Sequence, residues 1–158
     1  MACAIVAAVG GPALASGAAA PDDAEIIAFD NGFRDGSQSS DTDTTVTIAP
    51  GEKVTFAYPE GTSVHNVAFT GAAPTSCDQT VVPTGSTELP SPPLPGYPQP
   101  VGWEGYCVFN AAGTYSFYCQ AHPIMVGTVV VEAATPTPSP SPSPSPSPSP
   151  SPSPSPSP

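Results

Sequence analysis

Residues Tyr115–Val131 read YSFYCQAHPIMVGTVVV, and this stretch decides the fold. Tyr115, Phe117 and Cys119 occupy every second position, so in an extended chain the thiol faces the same side as two large aromatics. Beyond the methionine, Gly127–Glu132 holds three consecutive valines and no helical period. The reading is two strands joined by a short loop. Working outward, a period of two recurs. Val46 and Ile48 are in phase within Thr44–Ile48, as are Val54, Phe56 and Tyr58 within Lys53–Tyr58. His65, Val67 and Phe69 are in phase within Val64–Phe69, and Ala24–Phe29 and Gly105–Phe109 add two more short runs. Asp30–Asp43 reads as a polar loop, and Pro50-Gly51 as a turn. Seven to eight short strands in about 110 residues predict an all-β fold, a Greek-key β-sandwich. An immunoglobulin-like module and a metal-binding sandwich would share this pattern, so the fold by itself leaves function open.

Composition removes several function classes. The 158 residues carry 2 Lys+Arg against 13 Asp+Glu, a formal charge of −11. Two cations cannot neutralise a row of phosphates, which excludes nucleic-acid binding and polybasic membrane contact. With 2 histidines in the chain, a multi-His catalytic centre is excluded as well. The apolar, small-residue stretch Ala2–Ala20 predicts a secretory leader over residues 1–20, with Ala13-Leu14-Ala15 as a cleavage candidate and Cys3 removed with it. Gly10, Gly11, Pro12 and Ser16 interrupt the run and argue against a membrane anchor. Thr135–Pro158 is a Thr-Pro/Ser-Pro alternation holding 12 of the 25 prolines. It predicts a polyproline II rod of roughly 70 Å at ~3.1 Å per residue, either a spacer between the domain over 21–134 and a cell surface or wall, or a repeat-expanded tail with no partner. The expected location is therefore exported: extracellular, periplasmic or wall-associated.

The chemistry lies in Cys119, His122 and Met125, spaced C-x-x-H-x-x-M at the exit of one strand, and in His65, which points inward from another. Singly, each of these residues is more often a packed core or surface side chain. Jointly they form the donor set of a type 1 copper centre, with two imidazoles and a thiolate in a trigonal plane and a long axial thioether. Soft sulfur suits Cu(I) and imidazole suits Cu(II), so a mixed set changes little when one electron moves.

These residues resemble the cupredoxins. The loop CQAHPIM, with Pro123 directly after the histidine, is most similar to that of the amicyanins, and Val64-His65-Asn66-Val67 resembles the family's first ligand strand. The resemblance spans about Thr44–Glu132 and implies one copper ion on His65, Cys119, His122 and Met125. It further implies that Asn66 ties the two ligand loops by hydrogen bonds. Two departures stand out: Gln120 where the family usually has Ser or Thr, and an insertion over Gly71–Tyr106. With Cys3 lost, three cysteines remain, and pairing two leaves one thiol for the metal. Cys77–Cys107 is the expected disulfide, stapling the proline-rich insertion with ~3–4 kcal/mol of loop-closure entropy. The alternative, Cys107–Cys119, would take the thiol out of the site. Zinc fits poorly, since structural zinc sites take thiolates and imidazoles rather than a thioether.

The resemblance also implies that His122 is the electron port, rimmed by Pro123, Ile124 and Pro74. The acidic balance suits a basic redox partner such as a c-type cytochrome. Trp103, Tyr97 and Tyr106 could serve recognition or anchor the insertion. The expectation is a monomeric electron carrier rather than an enzyme, because no further histidines exist for a second copper site. A copper-storage module and a wall-associated adhesion sandwich are the competing readings.

Overall fold

Ten strands form two five-stranded sheets in the computed structural model, which describes residues 24–37 and 42–133. The expected leader over 1–20 and the Ser-Pro tail over 135–158 lie outside the described residues. In chain order the strands are β1 (Ala24–Phe29), β2 (Gly32–Asp35), β3 (Thr45–Ile48), β4 (Lys53–Tyr58) and β5 (Val64–Thr70). They continue as β6 (Ser76–Val81), β7 (Leu94–Pro100), β8 (Trp103–Val108), β9 (Gly113–Tyr118) and β10 (Val126–Val131). One sheet runs β2-β1-β4-β8-β6 and the other β3-β10-β9-β5-β7. β1 pairs with β4, and β3 with β10, in parallel, while the other pairs are antiparallel. The all-β sandwich is as expected, and the described residues contain no helix.

The seven runs read from the sequence all form strands, and three more appear. β2 lies inside the stretch read as a polar loop, where Phe33 and Asp35 alternate inward. β6 and β7 lie inside the stretch Gly71–Tyr106, which thus holds two whole strands and the start of β8 rather than a loop throughout. Each extends a different sheet at its edge, and together they close one side of the sandwich. Buried Gln79 and Gln99 bridge them, with Gln79 Nε2 donating to Gln99 Oε1 at 2.7 Å and the reverse bond at 3.3 Å. Reciprocal pairing satisfies amides that would otherwise each cost a buried, unmade hydrogen bond.

The core is aromatic. Phe117 meets Phe33, Phe56 and Phe69 edge-on at ring centroids of 5.1, 5.5 and 6.1 Å, and Phe109 meets Tyr115 at 4.9 Å. Such edge-to-face contacts add to the burial of the rings themselves. Beneath Phe117 the partner strand carries Gly127, where a Cβ would fall on the Phe117 ring. The disulfide is Cys77–Cys107, joining directly paired positions of β6 and β8 with Cα atoms 4.1 Å apart. Cys119 is the free, buried cysteine among the described residues, so the alternative pair with Cys107 is excluded.

Candidate metal centre

One end of the sandwich gathers the loop before β5, the first residues of β5, the turn between β7 and β8, and the loop between β9 and β10. β5 is buried on both faces from His65 to Ala68, with His65 and Val67 on one face, and leaves Val64 at the surface. Tyr58, the last residue of β4, meets the His65 ring edge-on at 4.6 Å. The loop after β9 folds on itself through backbone bonds. His122 N–H donates to Cys119 O at 3.1 Å, Met125 N–H to His122 O at 2.9 Å, and Cys119 N–H to Met125 O at 3.0 Å. Three residues of the C-x-x-H-x-x-M spacing are thereby held in one tight turn.

His65, Cys119 and His122 come together. Their ligand atoms all lie within 4.8 Å of one another, and each Nδ1 stands 3.6 Å from Cys119 Sγ. Metal–nitrogen and metal–sulfur bonds of about 2.0–2.3 Å in a 120° plane separate nitrogen from sulfur by about 3.7 Å, so each imidazole Nδ1 already stands from the thiol at a distance a shared metal would set. Met125 is buried in the core cluster at the end of the same turn. Burial pushes the His65 imidazolium down, and the neighbouring His122 adds to the effect. His65 Nε2 is buried without a hydrogen-bond partner, while its Nδ1 faces the Cys119 thiol. The donor set of thiolate, two imidazoles and thioether fits copper.

Supporting residues hold the two ligand segments together. Asn66 Nδ2 donates to Gln120 Oε1 at 2.7 Å, and Gln120 N–H donates to Asn66 Oδ1 at 3.0 Å. Gln120, the departure after the cysteine, is therefore the partner of Asn66. Asn66 Nδ2 also reaches Pro95 O of β7 at 3.4 Å, and Gln99 of β7 stands opposite His65 in the ladder. The insertion thus covers the His65 side of the site.

His122 is only partly covered, and Pro123 and Ile124 beside it are exposed, Ile124 at 91%. Pro74, expected on this rim, is buried instead. It follows β5, next to Thr75, whose N–H donates to Val108 O at the far end of β8. The strand direction of β5 carries it away from the ligands. Exposed Val64 and Val101 take its place near the start of β5, where Val64 pairs with Pro100. Trp103 is buried in the core and anchors β8 rather than presenting a surface.

Sequence reading missed a polar cluster beside His122. Asp30, in the turn between β1 and β2, accepts from Tyr58 Oη at 2.6 Å, Thr62 N at 2.7 Å, Thr62 Oγ1 at 2.8 Å and Ser63 N at 3.1 Å. The Tyr58 hydroxyl, then the Thr62 donors, hold this carboxyl well below the usual carboxylate range. Burial, then the Asp30 bond, pushes Tyr58 up to about 12. Ser63 Oγ lies 3.3 Å from His122 Nε2. These contacts join residues 28 to 59 positions apart, and no local spacing announces them.

The model of the family "Copper binding proteins, plastocyanin/azurin family" matches residues 37–132. The chain belongs to that family. Its cofactor is copper. No curated protein matches the sequence. Among solved structures, it is similar to amicyanin from Paracoccus versutus, with 22% identity over 73% of this chain and 86% of that one, at a TM-score of 0.44. An oxidised amicyanin variant matches with 22% identity over 73% and 87% of the two chains, at 0.47. A reduced variant matches with 23% identity over 70% and 82%, at 0.46.

Proposed function

We propose that this cupredoxin is an exported type 1 copper protein that carries single electrons between other redox proteins, with His65, Cys119, His122 and Met125 as the residues that would hold the ion. The observation that carries this reading is the convergence of two imidazole Nδ1 atoms, each at 3.6 Å, on one buried thiol. Bound copper supplies exchange between Cu(I) and Cu(II), and the chain supplies the rest. β5 and the closed turn after β9 fix three donors before metal arrives, so little must move when the charge of the site changes. Burial of Cys119 and His65 excludes water from the thiolate. His122 is the one of these residues that reaches the surface, and it offers the path for an electron entering from a reduced partner and leaving to an oxidised one.

Val64, Val101, Pro123 and Ile124 give that exit an apolar, closely approachable rim, and the chain charge of −11 favours a basic partner such as a c-type cytochrome. In this reading the domain over 21–134 works as a monomer outside the cytoplasm, released by the leader and held by the Ser-Pro spacer. The role is that of a carrier, not an enzyme. The test is Cu(II) addition to the full chain. Intense blue absorption is expected, and Cys119→Ser abolishes it. A colourless wild type that retains no copper overturns the reading.

A further inference from the structure

The polar cluster that begins at Asp30 is not part of the donor set, yet it ends on a donor. Asp30 also lies outside residues 37–132, so the family match does not account for it. Its carboxylate gathers four donors from two segments, the end of β4 and the loop before β5. The loop is shaped around it. Gly61 has φ +147, and a Cβ there would fall on both the Tyr58 hydroxyl and the Asp30 carboxylate. Ser63 N–H is held twice, by Asp30 Oδ1 at 3.1 Å and by Tyr58 Oη at 3.0 Å. The backbone of Ser63 is therefore fixed, and its hydroxyl is presented to His122 Nε2 at 3.3 Å.

We propose that Asp30 is a positioning residue for His122: it sets the loop before β5 so that Ser63 Oγ accepts the Nε2–H of His122 and keeps Nδ1 turned to the thiol. This rests on the copper reading above for its purpose, though not for its geometry. His122 needs such a device more than His65 does. His65 is enclosed, with Tyr58 edge-on against its ring. His122 is partly exposed on a short turn between exposed Ala121 and Pro123, so packing alone leaves its ring free to rotate or to take the other tautomer. An acceptor on the outer nitrogen settles both, because the ring nitrogen facing the metal must be the one without a proton. Ser63 is that acceptor, and Asp30 acts only through it.

The test follows the His122 Nε2 proton by nitrogen-15 NMR in the full chain, both metal-free and loaded with Cu(I), where the ion is diamagnetic. In the wild type the Nε2–H tautomer is expected, with slow exchange of that proton with solvent. Ser63→Ala and Asp30→Ala are each expected to speed the exchange about fivefold or more, the weight of one net hydrogen bond. Ser63→Thr, which keeps a γ-oxygen, restores it to within about twofold. Asp30→Leu, which keeps side-chain bulk but carries no acceptor, serves in place of Asp30→Ala should the latter fail to fold. Unchanged exchange in folded Ser63→Ala overturns the bond, and a change there without one in the Asp30 variant overturns the role of Asp30. Failure of the copper reading is seen separately, as a wild type that binds no Cu(II), and leaves the metal-free measurement standing.

Discussion

Cys77→Ala combined with Cys107→Ala isolates the disulfide from the metal centre. The bridge closes a sequence separation of 30 residues, for which the chain-entropy relation gives about 3.6 kcal/mol at 25 °C. Cys107 is fully enclosed and Cys77 nearly so, and deleting two buried sulfur atoms adds a packing loss on the order of 1 kcal/mol. The expected total is about 4–5 kcal/mol. At ~4 °C per kcal/mol for a domain of this size, melting falls by about 15–20 °C. The centre should not notice. Cys107 pairs with Val54, four positions along β4 from the Tyr58 that packs on His65, or ~13 Å of strand. Calorimetry on the metal-free full chain measures the first effect, and the visible spectrum of the copper-loaded double variant at 20 °C measures the second. A destabilisation below about 1 kcal/mol would refute the loop-closure reasoning. Loss of colour in a variant that is still folded would refute the independence of bridge and site.

Two further perturbations probe the core and the carboxylate. Gly127→Ala places a methyl on the Phe117 ring, which Phe33, Phe56 and Phe69 surround. With no room to swing, overpacking should cost about 1–3 kcal/mol, read by denaturant unfolding, and a neutral result would mean that the ring shifts freely. Asp30→Asn tests the lowered carboxyl. A depressed pKa stabilises the fold at every pH above the unfolded value of about 3.9 and loses that contribution as acid protonates the folded state. The stability gap between wild type and Asp30→Asn, measured metal-free, should stay level from pH 7 to about 4 and close below it, whereas a gap that widens in acid contradicts the bonding described.

What could be read from the chain follows from where the information resides. Val54, Phe56 and Tyr58 alternate within one strand, and every one of them is buried, so a local pattern reported a global fact. The same holds for His65, Cys119 and His122, which the fold brings together and whose residue types carry the chemistry. β6 and β7 escaped notice because their inward positions include Gln79 and Gln99, each polar, and they are tolerated only because they bond to each other across 20 residues. β2 escaped because Phe33 is its single large apolar residue, set in a run of Gly, Ser and Asp. Ser63 and Asp30 carry no signal, since their meaning depends on which loops the sandwich brings to one end. Pro74 was misplaced for the same reason: its distance from the ligands is a property of strand direction.

β7 has a consequence of a different kind. It is the outer strand of its sheet, and three of its seven residues, Pro95, Pro98 and Pro100, have no amide hydrogen to offer. A neighbouring chain seeking to zip onto that margin finds a broken row of donors. The segment that shields His65 therefore also ends the sheet, so a chain crowded with its own copies has one margin at which growth into fibres stops.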